Sequence, residues 1–304
     1  MLFEEAYKID KNSIVVKRLK RTQSIIRKLK RFKTMKLRNM QDIAGCRAIL
    51  NKQKDIDKLK KTLNKKHEFK ITDYIKKPKD DGYRGVHLTC KCNDDTNQSK
   101  FPVEIQLRTK IQHSWATAVE IVDLFTNQKL KLNDGKQEWL DFFKYISHCF
   151  AELEGNHEGN FQESLEESIR LIKKLNVHKK FNAFKESIKI LESNFDIKTS
   201  GYYLIEVNLK EKTTTIHQYK KREIKLATDD YLKKEQESAK NQNYIVALVS
   251  LESVDNLKEA YPNYFADSEL FLQNVKTLEI MYNIQNPSLI IEFLKKHAFN
   301  FLNK

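Results

Sequence analysis

DGYRGVHLTCKCNDDTNQSKFPVEIQLRT, residues 81–109, reads as two strands joined by a polar turn. Arg84 to Cys92 and Phe101 to Arg108 carry the apolar and β-branched residues of strands, and NDDTNQSK between them gathers the Asn, Asp and Ser that favour turns. The two are expected to pair antiparallel. Within VEIQLRT the two-residue period puts Glu104, Gln106 and Arg108 on one face and Val103, Ile105 and Leu107 on the other. A sheet built on this pair has one face to bury and one that can carry chemistry.

Working upstream, Glu68 to Lys76 is a further strand candidate, and Ile56, Leu59 and Leu63 mark a helix over Lys52 to Lys65. MQDIAGCRAIL, residues 40–50, ends in an apolar run that suits a buried strand, so this part reads as a strand-to-helix unit. From Ser13 to Lys36, Ile14, Val15, Leu19, Ile25, Ile26, Leu29 and Phe32 recur at helical spacing, which predicts one long basic amphipathic helix. Downstream, Lys110 to Phe125 and Trp139 to Leu153 read as helices, EGNHEGNFQ at 154–162 as a break, and helices resume to Phe195. GYYLIEVNL and TTTIHQY then look like paired strands, Tyr231 to Lys240 like a polar helix and NYIVALVSL like a buried strand, together a small α+β domain.

Fifty-six Lys and Arg against 41 Asp and Glu leave a net charge of +15, and Lys17 to Lys36 contains no acid at all. Such an excess favours polyanionic partners such as RNA, nucleotide phosphates or an anionic membrane, or simply makes a well-solvated surface. No apolar run approaches the roughly 20 residues a bilayer span requires, and MLFEEAYKID lacks the pattern of a secretory signal. A cytoplasmic location and no membrane partner are expected. Cys46, Cys90, Cys92 and Cys149 lack zinc-ligand spacing and read as free thiols, while His157, His178, His217 and His297 are scattered, so no zinc is expected. With seven glycines and no Walker-type loop, phosphate must be held by side chains.

Four short motifs carry the chemistry. Arg18, Lys20, Ser24 and Lys28 fall in an R-x-K-x-x-x-S-x-x-x-K spacing, with Lys20, Ser24 and Lys28 one turn apart on the expected helix, a face that can follow a triphosphate or simply be solvated. In DIAGCR, Asp42 and Arg47 bracket Gly45, as a metal ligand with a nearby cation or as a turn aspartate. PKDDGYRGVH sets Lys79, Tyr83, Arg84 and His87 around two glycines; Tyr83 offers a ring on which a base can stack, for roughly 1–3 kcal/mol, or is an exposed turn residue. The polar face of VEIQLRT, with His113 and Glu120 following, makes a cleft or a solvent-facing strand.

In this order and spacing the motifs resemble the RelA/SpoT synthetase family over roughly Val15 to Phe125, without that family's upstream hydrolase domain. The resemblance implies an α/β (α+β) fold, a mixed and mainly antiparallel sheet flanked by helices, in a synthetase domain over residues 1–153. A helical connector at 154–198 and a C-terminal α+β regulatory domain at 199–304 would follow. It implies that Arg18, Lys20, Ser24, Lys28 and Arg47 hold ATP, that Asp42 and Glu104 bind Mg2+, and that Gln106 completes a catalytic E-x-Q signature. Tyr83, Lys79 and His87 would form the acceptor side.

The reaction implied is attack by a ribose 3′ hydroxyl on the β-phosphorus of ATP. Thr72 departs from the basic residue that many nucleotide-making relatives carry before DYI. That departure and the basic surface, with Lys65, Lys66, Lys76, Lys77 and Lys79 beside it, favour the tRNA acceptor end over GDP or GTP. EAYPNYFADS at 259–268 resembles the antitoxin part of CapRel-type fused toxin–antitoxin proteins, anti-phage relatives whose control domain is a pseudo-zinc-finger. The resemblance implies that Tyr261 and Tyr264 are autoinhibitory and released by a phage structural protein. A competing expectation from another class is a non-catalytic RNA-binding module, for which Asp42→Ala or Glu104→Ala would leave the biological effect unchanged.

Overall fold

The computed structural model describes residues 1–20, 22–93, 100–126, 130, 135–156, 159–193, 201–208, 211, 213–239, 244–250 and 264–284. Among these, two compact units are distinguished, 1–113 with 150–156 and 114–149 with 159–284.

The first unit runs α1 (Leu2–Ile9), β1 (Ile14–Leu19), α2 (Thr22–Arg31), β2 (Ala44–Leu50), α3 (Gln53–Lys66), β3 (Lys70–Asp73), β4 (Val86–Asn93) and β5 (Lys100–Thr109). The strands form one sheet in the order β1-β2-β5-β4-β3. Every neighbouring pair is antiparallel except β2 with β5, so the sheet is mixed and mainly antiparallel. The pair expected from residues 81–109 is there, with Val86 opposite Leu107 and Asn93 opposite Lys100.

Alternation then sorts the two faces. Ala48 and Leu50 of β2, Val86 and Leu88 of β4, and Ile105 and Leu107 of β5 pack against Ile56, Leu59 and Leu63 of α3 and Ala6 of α1. Each of the three α3 side chains is completely buried, which stabilises the unit by about 1.5–3 kcal/mol apiece. The opposite face carries the polar partners of the same strands.

The single helix expected over Ser13 to Lys36 is not formed. Ile14–Leu19 is an edge strand lying along β2, from Ile14 opposite Ile49 to Leu19 opposite Ala44, and only Thr22–Arg31 is helical. The β-branched run Ile14, Val15, Val16 is at home in either periodicity locally. The ladder offered by β2 decides for the strand. The expected strand at Glu68 to Lys76 is cut to Lys70–Asp73. Asp73 Oδ1 accepts the backbone N–H groups of Ile75 and Lys76 at 3.1 and 3.2 Å, and this turn ends the ladder.

The second unit contains α4 (Lys110–Thr126), α5 (Gln137–Leu153), α6 (Phe161–Leu175), α7 (Val177–Ser193), β6 (Gly201–Asn208), β7 (Thr213–Lys220), α8 (Ile224–Ala239), β8 (Tyr244–Ser250) and α9 (Tyr264–Asn283), with the first turn of α4 and the last turn of α5 assigned to the first unit. Trp115, Trp139, Phe142, Phe143, Phe181 and Phe271 form its aromatic core, and the Trp115 indole N–H donates to the Phe143 carbonyl at 2.9 Å. The α6–α7 break is made by Asn176, in the left-handed region at φ 51°. Strands β7-β6-β8 form an antiparallel sheet, as expected for GYYLIEVNL and TTTIHQY, backed by Ala227 and Tyr231 of α8.

Glu206 of β6 is the one carboxylate among the described residues of this sheet to be buried at 3% exposure. It accepts hydrogen bonds from the Tyr244 hydroxyl, from His217 Nε2 at 2.8 Å and from the Lys234 ammonium at 3.2 Å. Burial alone would raise its carboxyl, but the bonds from Tyr244, Lys234 and His217 outweigh this and hold it below the ordinary value. Glu206→Ala is therefore expected to cost about 2 kcal/mol, read by urea unfolding followed through far-UV circular dichroism. That contribution is present above the unfolded carboxyl value of about 4.3 and is lost as pH falls through the lower folded value. The stability difference between parent and variant should shrink as pH falls below about 4.3 and through the lower folded value.

Candidate active site

The polar face of the first unit's sheet aligns Arg47, Gln106, His87 and Thr72 in one row across β2, β5, β4 and β3. The neighbouring row runs Arg18, Gly45, Glu104 and Thr89. Gly45 leaves no room for a side chain against β5, because a Cβ there would lie 2.2 Å from the Glu104 carbonyl oxygen. The small residue in DIAGCR is thus the contact that lets the strand bearing Glu104 lie beside the strand that follows Asp42.

Asp42 stands just before β2 and is held by two lysines. Lys20 Nζ is 2.5 Å from Oδ2 and Lys28 Nζ is 3.0 Å from Oδ1. Burial would raise the Asp42 carboxyl, but the hydrogen bonds from Lys20 and Lys28 hold it below the ordinary value. Lys20 precedes α2 and does not share its face; its backbone N–H donates to the Ile43 carbonyl at 2.6 Å, which pins the chain where β1 ends. The two lysines expected on one face of a helix, two turns apart, are brought together across a strand end instead. The side chains of Arg18 and Ser24 lie outside the described residues, as does Tyr261, and of Tyr264 only its place at the start of α9 is described.

Around Glu104 five side chains close a ring of hydrogen bonds. The carboxylate meets His87 Nδ1 at 2.9 Å through Oε1 and accepts from Gln106 Nε2 at 2.7 Å through Oε2. Gln106 Oε1 accepts from Arg108 at 3.4 Å and from Arg47 at 3.5 Å. Arg108 Nη2 donates to the Tyr83 hydroxyl at 3.0 Å, and that hydroxyl lies 2.6 Å from His87 Nε2. Burial would raise the Tyr83 phenol, but the charge of Arg108 and then His87 brings it down to about 7. Burial opposes protonation of His87, but its bond to Glu104 and the Tyr83 oxygen raise it above the ordinary histidine value. Both Glu104 oxygens are thereby held in one orientation.

Tyr83 is placed by the turn before it. Gly82 N–H donates to the Lys79 carbonyl at 2.9 Å, Tyr83 N–H donates to Asp81 Oδ1 at 2.9 Å, and Gly85 at φ +152° lets the chain pass beneath the tyrosine hydroxyl, which a Cβ there would meet at 3.2 Å. The Lys79 ammonium sits 4.8 Å from the Tyr83 ring centre and 4.6 Å from that of Tyr74, and the Arg108 guanidinium is 5.0 Å from the Tyr83 ring. Tyr74 also packs edge-on against Tyr83 and His87, with centroids 5.8 and 5.1 Å away.

Sequence reasoning left out Tyr74 and assigned Arg108 no role, although Arg108 shares strand parity with Glu104 and Gln106. Arg84 is buried with its guanidinium 3.4 Å from the Ile75 carbonyl, a structural part of the turn. Cys90 and Cys92 face one side as expected, their sulfurs 3.6 Å apart, and all four cysteines are free. His113 closes the first unit and Glu120 belongs to the second.

A divalent cation fits this donor set. Asp42 already accepts a cationic stand-in, the Lys20 ammonium, and aspartate and glutamate supply the hard oxygens magnesium prefers. No helix among the described residues is long and apolar enough to cross a membrane.

Residues 17–122 match the family model described as the region found in RelA / SpoT proteins. Over 110 residues the chain is 34% identical to the GTP pyrophosphokinase YjbM of Bacillus subtilis (strain 168), covering 34% of this chain and 52% of that protein. It is 38% identical over 112 residues to the GTP pyrophosphokinase YwaC of the same organism, covering 33% and 52%. The chain thus spans about half the length of these curated relatives. Among solved structures, small alarmone synthetase 1 from Bacillus subtilis bound to its product pppGpp aligns at 28% identity and a TM-score of 0.40, over 47% of this chain and 74% of that one. A GTP pyrophosphokinase family protein from Streptococcus pneumoniae aligns at 25% identity and 0.39, over 51% and 79%. It is through residues 17–122, the stretch that builds the site around Asp42 and Glu104, that this chain is similar to RelA / SpoT proteins.

Proposed function

We propose that the first unit is an ATP-dependent pyrophosphokinase, transferring the β,γ-diphosphate of ATP to a ribose 3′ hydroxyl and releasing AMP. The observation that carries this reading is the gathering of Asp42, Lys20 and Lys28 at the start of β2 beside the strand that presents Glu104. Little covalent chemistry is asked of the protein in phosphoryl transfer; positioning and charge neutralisation do most of it. Lys20, Lys28 and Arg47 are the cations available to the donor phosphates. Glu104, held through both oxygens by His87 and Gln106, would take the proton leaving the attacking hydroxyl. Asp42 and Glu104 would hold magnesium, whose charge offsets that of the phosphates as the bridge to AMP breaks. Tyr83 offers its ring to the acceptor base once Lys79 moves aside.

The acceptor proposed is the terminal adenosine of tRNA, so that the modified tRNA no longer supports translation. Two features support it: the acid-free cationic stretch from Lys17 to Lys36, and Thr72 standing opposite His87 in the site row where many nucleotide-making relatives carry a basic residue. A second reading, transfer to GDP or GTP, is favoured by the names of the Bacillus subtilis relatives. Incubation with γ-labelled ATP and either bulk tRNA or GDP is expected to label tRNA; label confined to the guanosine nucleotide would sink the tRNA assignment.

On this reading the C-terminal part restrains the enzyme through Tyr261 and Tyr264, a phage structural protein releases it, and the activity serves anti-phage defence in the cytoplasm. Tyr261→Ala and Tyr264→Ala are each expected to make expression growth-inhibiting without infection. Growth equal to that of cells with the parent protein would remove the restraint from this motif.

A further inference from the structure

We propose that Lys20 and Lys28 lock the divalent-cation site: they occupy Asp42 while the donor site is empty, and cede it only when a nucleoside triphosphate draws them onto its phosphates. The proposal rests on the reading that this site takes such a donor. Both oxygens of Asp42 are taken, one by each ammonium, at 2.5 and 3.0 Å. Both oxygens of Glu104 are likewise engaged, by His87 and Gln106. A divalent cation approaching Asp42 alone would sit within a few ångströms of two positive charges, an arrangement Coulomb repulsion disfavours strongly in a partly buried site.

A triphosphate reverses the balance. Its oxygens compete with Asp42 for the ammonium groups, and it brings ligands of its own to the metal. Among the described residues no three His, Cys, Asp or Glu side chains come together as a metal cage. Magnesium is usually bound by one or two carboxylates together with substrate phosphates, and such a site is complete only with the nucleotide in place. Lysine suits the gating role because its point charge rides on a flexible stem, where arginine would hold the carboxylate in a fixed fork. Lys28 retains 30% side-chain exposure, which leaves it room to swing.

The test uses the full-length chain with Mn2+ as probe, its free ion followed by electron paramagnetic resonance. Binding of α,β-methylene ATP, which cannot release AMP, is measured separately by calorimetry in EDTA and in Mn2+. Without nucleotide, the parent protein is expected to take up no Mn2+ at concentrations where the Lys20→Met/Lys28→Met double variant does. The dissociation constant should fall at least tenfold, and adding Asp42→Asn should abolish the gain. Lys28→Met alone, on an exposed helix, should show the same change to a lesser degree. The parent should still bind the nucleotide in EDTA. Equal Mn2+ uptake by parent and variants, or none by any, would overturn the lock while leaving the donor site standing. Failure of the parent to bind the nucleotide with or without metal would overturn the donor site and the lock with it.

Discussion

Glu104→Gln is expected to reduce diphosphate transfer about a thousandfold, with the fold intact. The substitution keeps the shape of the side chain but removes the charge that His87 and Gln106 orient. Because that charge serves the transferring groups and not the resting sheet, kcat and kcat/KM should fall together, the signature of an interaction made in the transition state. Single-turnover transfer from γ-labelled ATP measures the loss, and α,β-methylene ATP binding should stay within about threefold of the parent, since Lys20, Lys28 and Arg47 are untouched. A variant that retained a tenth of the parent rate would show that Glu104 is not at the reacting centre.

Gly45→Ala is expected to destabilise the first unit strongly while leaving the second folded. The added Cβ would lie 2.2 Å from the Glu104 carbonyl oxygen, and that oxygen belongs to backbone in the middle strand of the sheet, which cannot swing aside as a side chain can. To relieve the overlap, β2 must part from β5, opening a parallel ladder that runs from Ala44 opposite Val103 to Leu50 opposite Thr109. Overpacking of this kind costs about 3 kcal/mol, lowering the melting temperature of the unit by roughly 10 °C. Hydrogen exchange resolved by peptide would report it: amides of 44–50 and 103–109 should lose protection, while those of β6 and β8 keep theirs. Unchanged protection across β2 and β5 would mean that the sheet has slack this close approach does not reveal.

Both predictions depend on how strands meet, and there the legibility of the sequence was uneven. The β4–β5 pair was readable because its evidence is local: two runs with strand composition, a polar turn between them and a two-residue alternation in VEIQLRT that sorts Glu104 and Gln106 from Ile105 and Leu107. The α3 helix was readable for the same reason, from Ile56, Leu59 and Leu63. The candidate site was legible as a set of residue types in order. Its wiring was not: the ring through Tyr83, His87, Glu104, Gln106 and Arg108 joins residues of a turn and two strands.

By itself, then, the sequence determined which short segments are apolar on one side, in what order the four polar motifs follow one another, and that strongly basic charge gathers before residue 40. Tertiary structure alone decided that Ile14–Leu19 is a strand, that β2 runs parallel to β5, and that Lys20 and Lys28 converge on Asp42. The physical reason is common to all three. A β-branched run such as Ile14 to Val16 satisfies a helical or an extended pattern equally well over a few residues, and the choice falls to whichever ladder a distant segment offers. Likewise a lysine's long stem lets it reach its carboxylate from a strand end as readily as from a helix. Spacing in the chain therefore put Lys20 and Lys28 on one helix face for a triphosphate, and their meeting at Asp42 came only from the fold.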